Sequence, residues 1–103
     1  MSSSDVKPPW AFLTNHAHVL LCLARDPSIR LRDVAELVGI TERAAQRIVA
    51  DLVSDGYVTR MRAGRRNRYR VNMSAPLRHP LDADHAVGEL LRALGARRVE
   101  RAS

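Results

Sequence analysis

The residues here with chemistry to offer are mostly arginines, and their placement is uneven. Six of them, at positions 60, 62, 65, 66, 68 and 70, fall between Thr59 and Asn72 with no acid among them. The remaining 11 basic and 11 acidic residues balance, so the whole net charge of +6 sits in one stretch. Guanidinium groups stay charged and bind phosphate bidentately, so such a patch points to a polyanion, nucleic acid before anionic membrane. A second set lies upstream. Arg43, Gln46 and Arg47 recur at i, i+3 and i+4, the spacing that gathers side chains on one helix face. Arginine can pair with guanine O6 and N7 and glutamine with adenine N6 and N7. The first set suits phosphates; the second suits base edges.

Both sets need elements to hold them. Ala45, Ile48, Val49 and Leu52 fall at i, i+3, i+4 and i+7, which predicts a helix over 41–55 with those four buried and Arg43, Gln46, Arg47 and Ala50 outward. Thr41 is its N-cap and Gly56 its end. Upstream, RDVAELV (32–38) predicts a helix offering Val34, Ala35, Leu37 and Val38 to the core. Gly39 stands where a left-handed C-terminal cap is wanted. Two helices joined by a short glycine-containing turn make a helix-turn-helix. Tyr57 to Arg62 and Asn67 to Asn72 then read as a hairpin around Gly64, with Val58, Tyr69 and Val71 facing the core and the arginines alternating outward.

The flanks complete the scaffold. A first helix, capped by Thr14 or Asn15, should stop at Asp26 because Pro27 disfavours helical geometry before it. Its AHVLLCLA run (17–24) is apolar nearly all round, which calls for cover on a second face, and a partner subunit is the expected cover. Trp10 and Phe12 are expected to clamp onto the fold, and Ser28 to Leu31 to form a short strand or extended link. Pro76 to Leu81 read as a rigid connector. The last helix is expected to begin with Asp82 or Asp84 as N-cap and to carry a stripe of Val87, Leu90, Leu91 and Leu94. Gly88 and Gly95 weaken it in isolation, so it should depend on docking. The resulting class is mainly α with a small β-hairpin (α+β), a winged helix-turn-helix with a C-terminal helix for dimerisation. The expected organisation is an arm at 1–9, a DNA-binding unit at 10–75, and a connector with the last helix at 76–103, whose end from Arg97 frays.

Composition sets limits on other classes. A chain of 103 residues holds one modest core. No apolar run reaches a membrane span, and MSSSDVKPP has no apolar segment for a signal peptide, so a cytoplasmic, nucleoid-associated protein is expected. Cys22 stands alone and its apolar neighbours argue for an inert thiol. No nucleophile, base and orienting group occur together, and there is no glycine-rich phosphate loop, so neither an enzyme nor a cofactor is expected. His16-x-His18 and Asp82-x-Asp84-His85 are the only candidate metal ligands. Two residues apart, His16 and His18 face different sides of a helix, so no metal site is expected.

The pattern LRDVAELVGITERAAQRIVADLVSDGYVTRMRAGRRNRYRV resembles the winged-helix domains of small bacterial regulators of the MarR and ArsR classes. The resemblance covers roughly residues 14 to 72. It implies that the helix matching 41–55 reads the major groove, that the loop matching 63–67 is the wing, and that the protein is a homodimer through its first and last helices. The long flanking helices of MarR proteins, and the effector pocket they help form, have no counterpart here. The candidate contacts to double-stranded DNA are Arg30, Arg32, Thr41, Arg43, Ala44, Gln46 and Arg47 on the helices, and Arg62, Arg65, Arg66, Asn67 and Arg68 on the hairpin. The competing readings are a winged-helix module that binds RNA or a protein, and a metal-responsive ArsR-like sensor.

Overall fold

Thr14 opens the first helix as expected: its Oγ1 accepts from the Ala17 amide at 3.2 Å, and Asp26 ends the helix in extended backbone before Pro27. The computed structural model describes residues 9–96 and contains, in order, α1 (Asn15–Arg25), α2 (Leu31–Val38), α3 (Glu42–Ser54), β1 (Val58–Ala63), β2 (Arg66–Val71) and α4 (Val87–Ala93). Four helices and one antiparallel hairpin make the α+β winged helix-turn-helix expected from the sequence. The 97–103 tail and all of the 1–9 arm but Pro9 lie outside the described residues.

The core is aliphatic. Leu23, Leu91, Val19, Val34 and Val49 are its largest fully buried side chains, each contributing about 1.5–3 kcal/mol through area removed from water. Val87, Leu91 and Ala96 join the same cluster as Val19 and Val34, so the last helix docks on the body of the fold. Leu21 and Cys22, within the apolar α1 run expected to need cover on a second face, are half-buried and pack against this core. The chain therefore supplies most of the cover for α1 itself.

Three expectations are corrected. Trp10 and Phe12 do not clamp the fold; they are 66% and 91% exposed and meet each other edge to face, with centroids 5.0 Å apart. The core closes with aliphatic side chains and Tyr57 and Tyr69, and neither Trp10 nor Phe12 is among the residues packed against it. Leu37 is not a core residue but 71% exposed, because the buried stripe of α2 runs through Leu31, Val34, Ala35 and Val38. Neither Asp82 nor Asp84 caps α4. Residues 77–85 fold back on themselves, with Pro76 bridged to Ala86 and Leu77 N–H bonded to the His85 carbonyl at 3.0 Å. Successive turns, His79 to Asp82 and Asp82 to His85, absorb residues assigned to the first helical turn. The helix starts at Val87 instead, and Glu89 Oε2 accepts from the Ala86 amide at 3.1 Å.

Candidate nucleic-acid interface

The turn between α2 and α3 is made by two residues suited to it. Gly39 takes the left-handed conformation (φ 87°, ψ 37°) and closes α2. Thr41 Oγ1 accepts from the Ala44 amide at 3.0 Å and opens α3. Ala45, Ile48, Val49 and Leu52 are buried, as their spacing predicts, so α3 is fixed by one face. Arg43, Gln46, Arg47 and Ala50 are all exposed on the other. Thr41 is also exposed, and Ala44 is half-buried behind the arginines.

The hairpin is tighter than expected. Ala63 pairs with Arg66, leaving a two-residue turn of Gly64 and Arg65, and Gly64 has φ +67°. A positive φ at the first central position is what a type II′ turn requires, and its twist matches the strands. The register also changes where the arginines point. Val58, Arg60 and Arg62 share a face with Val71, Tyr69 and Asn67; Thr59, Met61 and Ala63 share the other with Arg70, Arg68 and Arg66. The arginines therefore do not alternate to one outer side. Two extend the core-facing side beyond Val58 and Tyr69, three occupy the opposite side, and Arg65 is at the tip. All six are exposed, while Asn67 is half-buried.

A contact that sequence reasoning missed joins the hairpin to the α1–α2 link. The Tyr69 amide donates to the Pro27 carbonyl at 2.9 Å, so the link runs along the free edge of β2. Arg66 Nη2 donates to the Ser28 carbonyl, and Arg68 Nη1 to Ser28 Oγ at 3.0 Å. Asp26 shapes this turn, its Oδ1 accepting from the Ser28 amide at 3.1 Å. The pairing brings two wing arginines beside Arg30, the exposed N-cap residue of α2, with exposed Arg32 following in its first turn. An Asp-Pro-Ser sequence signals a turn but says nothing about which strand lies next to it.

Two of the rival ligands, His16 and His85, pair with carboxylates. His16 Nε2 is 2.8 Å from Asp51 Oδ2, and His85 Nδ1 is 2.7 Å from Glu89 Oε1. Among the described residues no three His, Cys, Asp or Glu side chains are grouped so as to hold a metal ion. Burial pushes the Cys22 thiol above its ordinary pKa, against a weaker pull from Arg25, which keeps it protonated and poorly nucleophilic. No helix among the described residues is long and apolar enough to cross a membrane.

Residues 14–59 match the family model for winged helix-turn-helix DNA-binding domains. The match spans α1 to the start of β1 and stops before the arginines of the hairpin. No curated protein matches the chain.

Proposed function

We propose that the protein is a sequence-specific, double-stranded DNA-binding transcriptional regulator. In this reading α3 lies in the major groove with Arg43, Gln46 and Arg47 towards base edges, and the hairpin arginines contact phosphates or the adjacent minor groove. The observation that carries it is the division of α3, four apolar side chains buried and the Arg43/Gln46/Arg47 set fully outward, within the segment that matches DNA-binding domains. Major-groove width admits such a helix, and each base pair presents a distinct donor and acceptor pattern there. Thr41 and the free amides at the start of α3 favour a phosphate. Arg30, Arg32, Arg62, Arg65, Arg66 and Arg68, with the helix-adjacent Ala44 and the hairpin's Asn67, complete the proposed surface.

Base contacts would set sequence preference, and phosphate contacts register and affinity. Two copies would occupy half-sites about one helical turn apart. Dimerisation through α1 and α4 belongs to the same proposal, although packing within the chain now accounts for most of the apolar surface of α1.

Selection of bound fragments from a random duplex library with the purified protein tests the reading. A palindromic enriched motif is expected. Replacing Gln46 or Arg47 by Ala should relax preference by roughly 1–3 kcal/mol for each bidentate base pairing removed. No enrichment, alongside tight binding of RNA, would overturn the assignment.

A further inference from the structure

A cavity of about 430 Å³ opens between α1, the C-terminal half of α3 and the segment from Leu77 through α4. It lies on the part of α3 that follows Arg47, and its lining continues through Asp55 to Tyr57, the residue before β1. Its size falls within the range of roughly 300–1,000 Å³ typical of small-molecule sites. The floor is apolar, with Leu20, Leu52, Leu90 and Leu91 among its lining residues. The ionic groups on the wall are mostly acidic, Asp51, Asp55 and Asp82 against His16 and Arg78, with Thr14 and Tyr57 as further polar residues. In a chain whose net charge is +6, a cavity with three carboxylates is the exception.

The placement of those carboxylates works against the helix that bears two of them. Asp51 lies in the last turn of α3 and Asp55 is its C-cap, and that turn holds no basic residue. The C-terminal end of a helix carries roughly half a negative charge, so acids there raise the local negative potential. The existing counter-charges only partly answer it. Arg78 Nη1 meets Asp55 at 2.6 Å, and Arg78 remains largely exposed. Asp51 is met by His16, a ring that is charged only when protonated. The Asp82 carboxylate accepts no hydrogen bond among the described residues. A leucine-lined floor beneath a partly neutralised acidic rim is complementary to a molecule with an apolar body and one positive charge.

We propose that this cavity is a binding site for a small organic cation, an aromatic or branched aliphatic amine. The half-buried Leu77 and Leu90, over the nearly buried Leu20 and Leu52, would receive the hydrocarbon body, and the ammonium group would lie at the Asp51 and Asp82 carboxylates. Because Asp51 and Leu52 belong to the helix that carries Arg43, Gln46 and Arg47, an occupant contacts the proposed recognition helix directly. A second clause of the proposal, which rests on the DNA-binding reading, is that occupancy changes affinity for DNA.

The site is tested on DNA-free protein with three isosteric probes: 1-naphthylmethylamine, 1-naphthalenemethanol and 1-naphthoate. Titrations followed by amide chemical shifts should show the amine binding at least tenfold tighter than the alcohol, with the largest shifts at residues around Leu20, Leu52, Leu90 and Leu91. The carboxylate should bind weakest. Asp51 and Asp82 are both exposed, so the double variant Asp51→Asn/Asp82→Asn should fold, lose about tenfold for the amine and keep the alcohol's affinity. Equal binding of amine and alcohol, tighter binding of the carboxylate, no binding at all, or shifts confined to another surface would each overturn the site. So would sedimentation showing a dimer whose interface covers Leu90 and excludes the amine. The coupling is then read from duplex affinity with and without saturating amine, where a threefold or larger change is expected. Amine binding with unchanged DNA affinity overturns the coupling alone. Amine binding by a protein with no DNA affinity overturns the DNA reading and leaves the site standing.

Discussion

Replacing Gly88 by alanine should destabilise the protein, although helix propensity alone predicts the reverse. Gly88 sits in the first turn of α4, and exchanging glycine for alanine in a helix interior is worth up to about 1 kcal/mol in favour of folding. The structure opposes that gain with a specific clash. A Cβ built at Gly88 would stand 2.6 Å from the Met73 carbonyl oxygen and 2.9 Å from Met73 Cβ. The oxygen cannot yield as a flexible side chain would, because it is backbone and also accepts the Gly88 amide at 2.8 Å. Relieving the overlap must move α4 away from the 73–75 segment, breaking that bond or the Val87 amide's 2.7 Å bond to Ala75. Overpacking of this kind costs about 1–3 kcal/mol. Taking the middle of that range, about 2 kcal/mol, against a propensity gain of about 1 kcal/mol leaves a net loss of about 1 kcal/mol. For a domain near 100 residues each kcal/mol moves Tm by roughly 4–8 °C, so thermal melting by circular dichroism should show a drop of about that size. An unchanged or raised Tm would refute the claim that α4 is seated by this close approach.

Three further outcomes are expected. Thr41→Ala removes the side-chain acceptor at the start of α3 and should cost about 1 kcal/mol in denaturant unfolding, since the Ala44 amide loses its partner. Ser28→Ala removes the 3.0 Å Arg68 hydrogen bond but not the carbonyl that Arg66 uses. If Ser28 helps hold the wing, duplex affinity should fall by a few-fold at low salt with Tm nearly unchanged; unaltered affinity would leave that bond without a role in binding. The third concerns pH. The hydrogen bond that His85 donates to the Glu89 carboxylate, then the charge of Glu89, holds His85 above its ordinary value of 6.5, and His85 in turn holds Glu89 below 4.5. A raised histidine stabilises fully below its unfolded value and loses this as pH climbs, and a lowered carboxylate loses its share as pH falls below 4.5. The Tm gap between the parent and His85→Ala should therefore be widest between about pH 4.5 and 6.5 and close towards pH 8. A gap that stays constant across that range would exclude the ion pair as its source.

The parts of the fold legible in the sequence are those set by local periodicity and capping. Thr14, Gly39 and Thr41 act within a few residues of themselves, so residue type and spacing were enough to place both ends of the helix-turn-helix. The buried stripe of α3 was legible for the same reason. Misplaced features depended on contacts distant in sequence. Asp82 and Asp84 have the chemistry of N-caps, but Pro76 pairing with Ala86 decides where α4 begins. Trp10 and Phe12 are large and apolar, yet burial needs a vacancy in a core built by residues from Val19 to Ala96. The candidate site divides along the same line. Arg43, Gln46 and Arg47 face outward as their spacing required, whereas the Ser28 bonds span 38 to 40 residues and left no local signature.

The hairpin shows how composition and register carry different information. Six arginines in fourteen residues establish a positive potential whatever face they occupy, since long-range attraction to a polyanion depends on charge count and distance. Register decides which of them can meet phosphates together. With Arg60 and Arg62 on one side and Arg66, Arg68 and Arg70 on the other, a single flat surface cannot engage all five, but a groove with a charged wall on each side can. Tethering Arg66 and Arg68 to the α1–α2 link leaves Arg60, Arg62, Arg65 and Arg70 without such a tether, and of these Arg62 and the tip residue Arg65 lie nearest the turn. Replacing Arg62 and Arg65 together should therefore flatten the dependence of log affinity on log salt, by roughly 0.9 for each phosphate no longer neutralised. Replacing Arg70, beside Thr59 at the base of the hairpin, should change that slope least. If the Arg70 variant flattened the slope as much as the Arg62/Arg65 pair, the charge would be acting as an undirected cloud and the two-sided hairpin would have no bearing on how DNA is held.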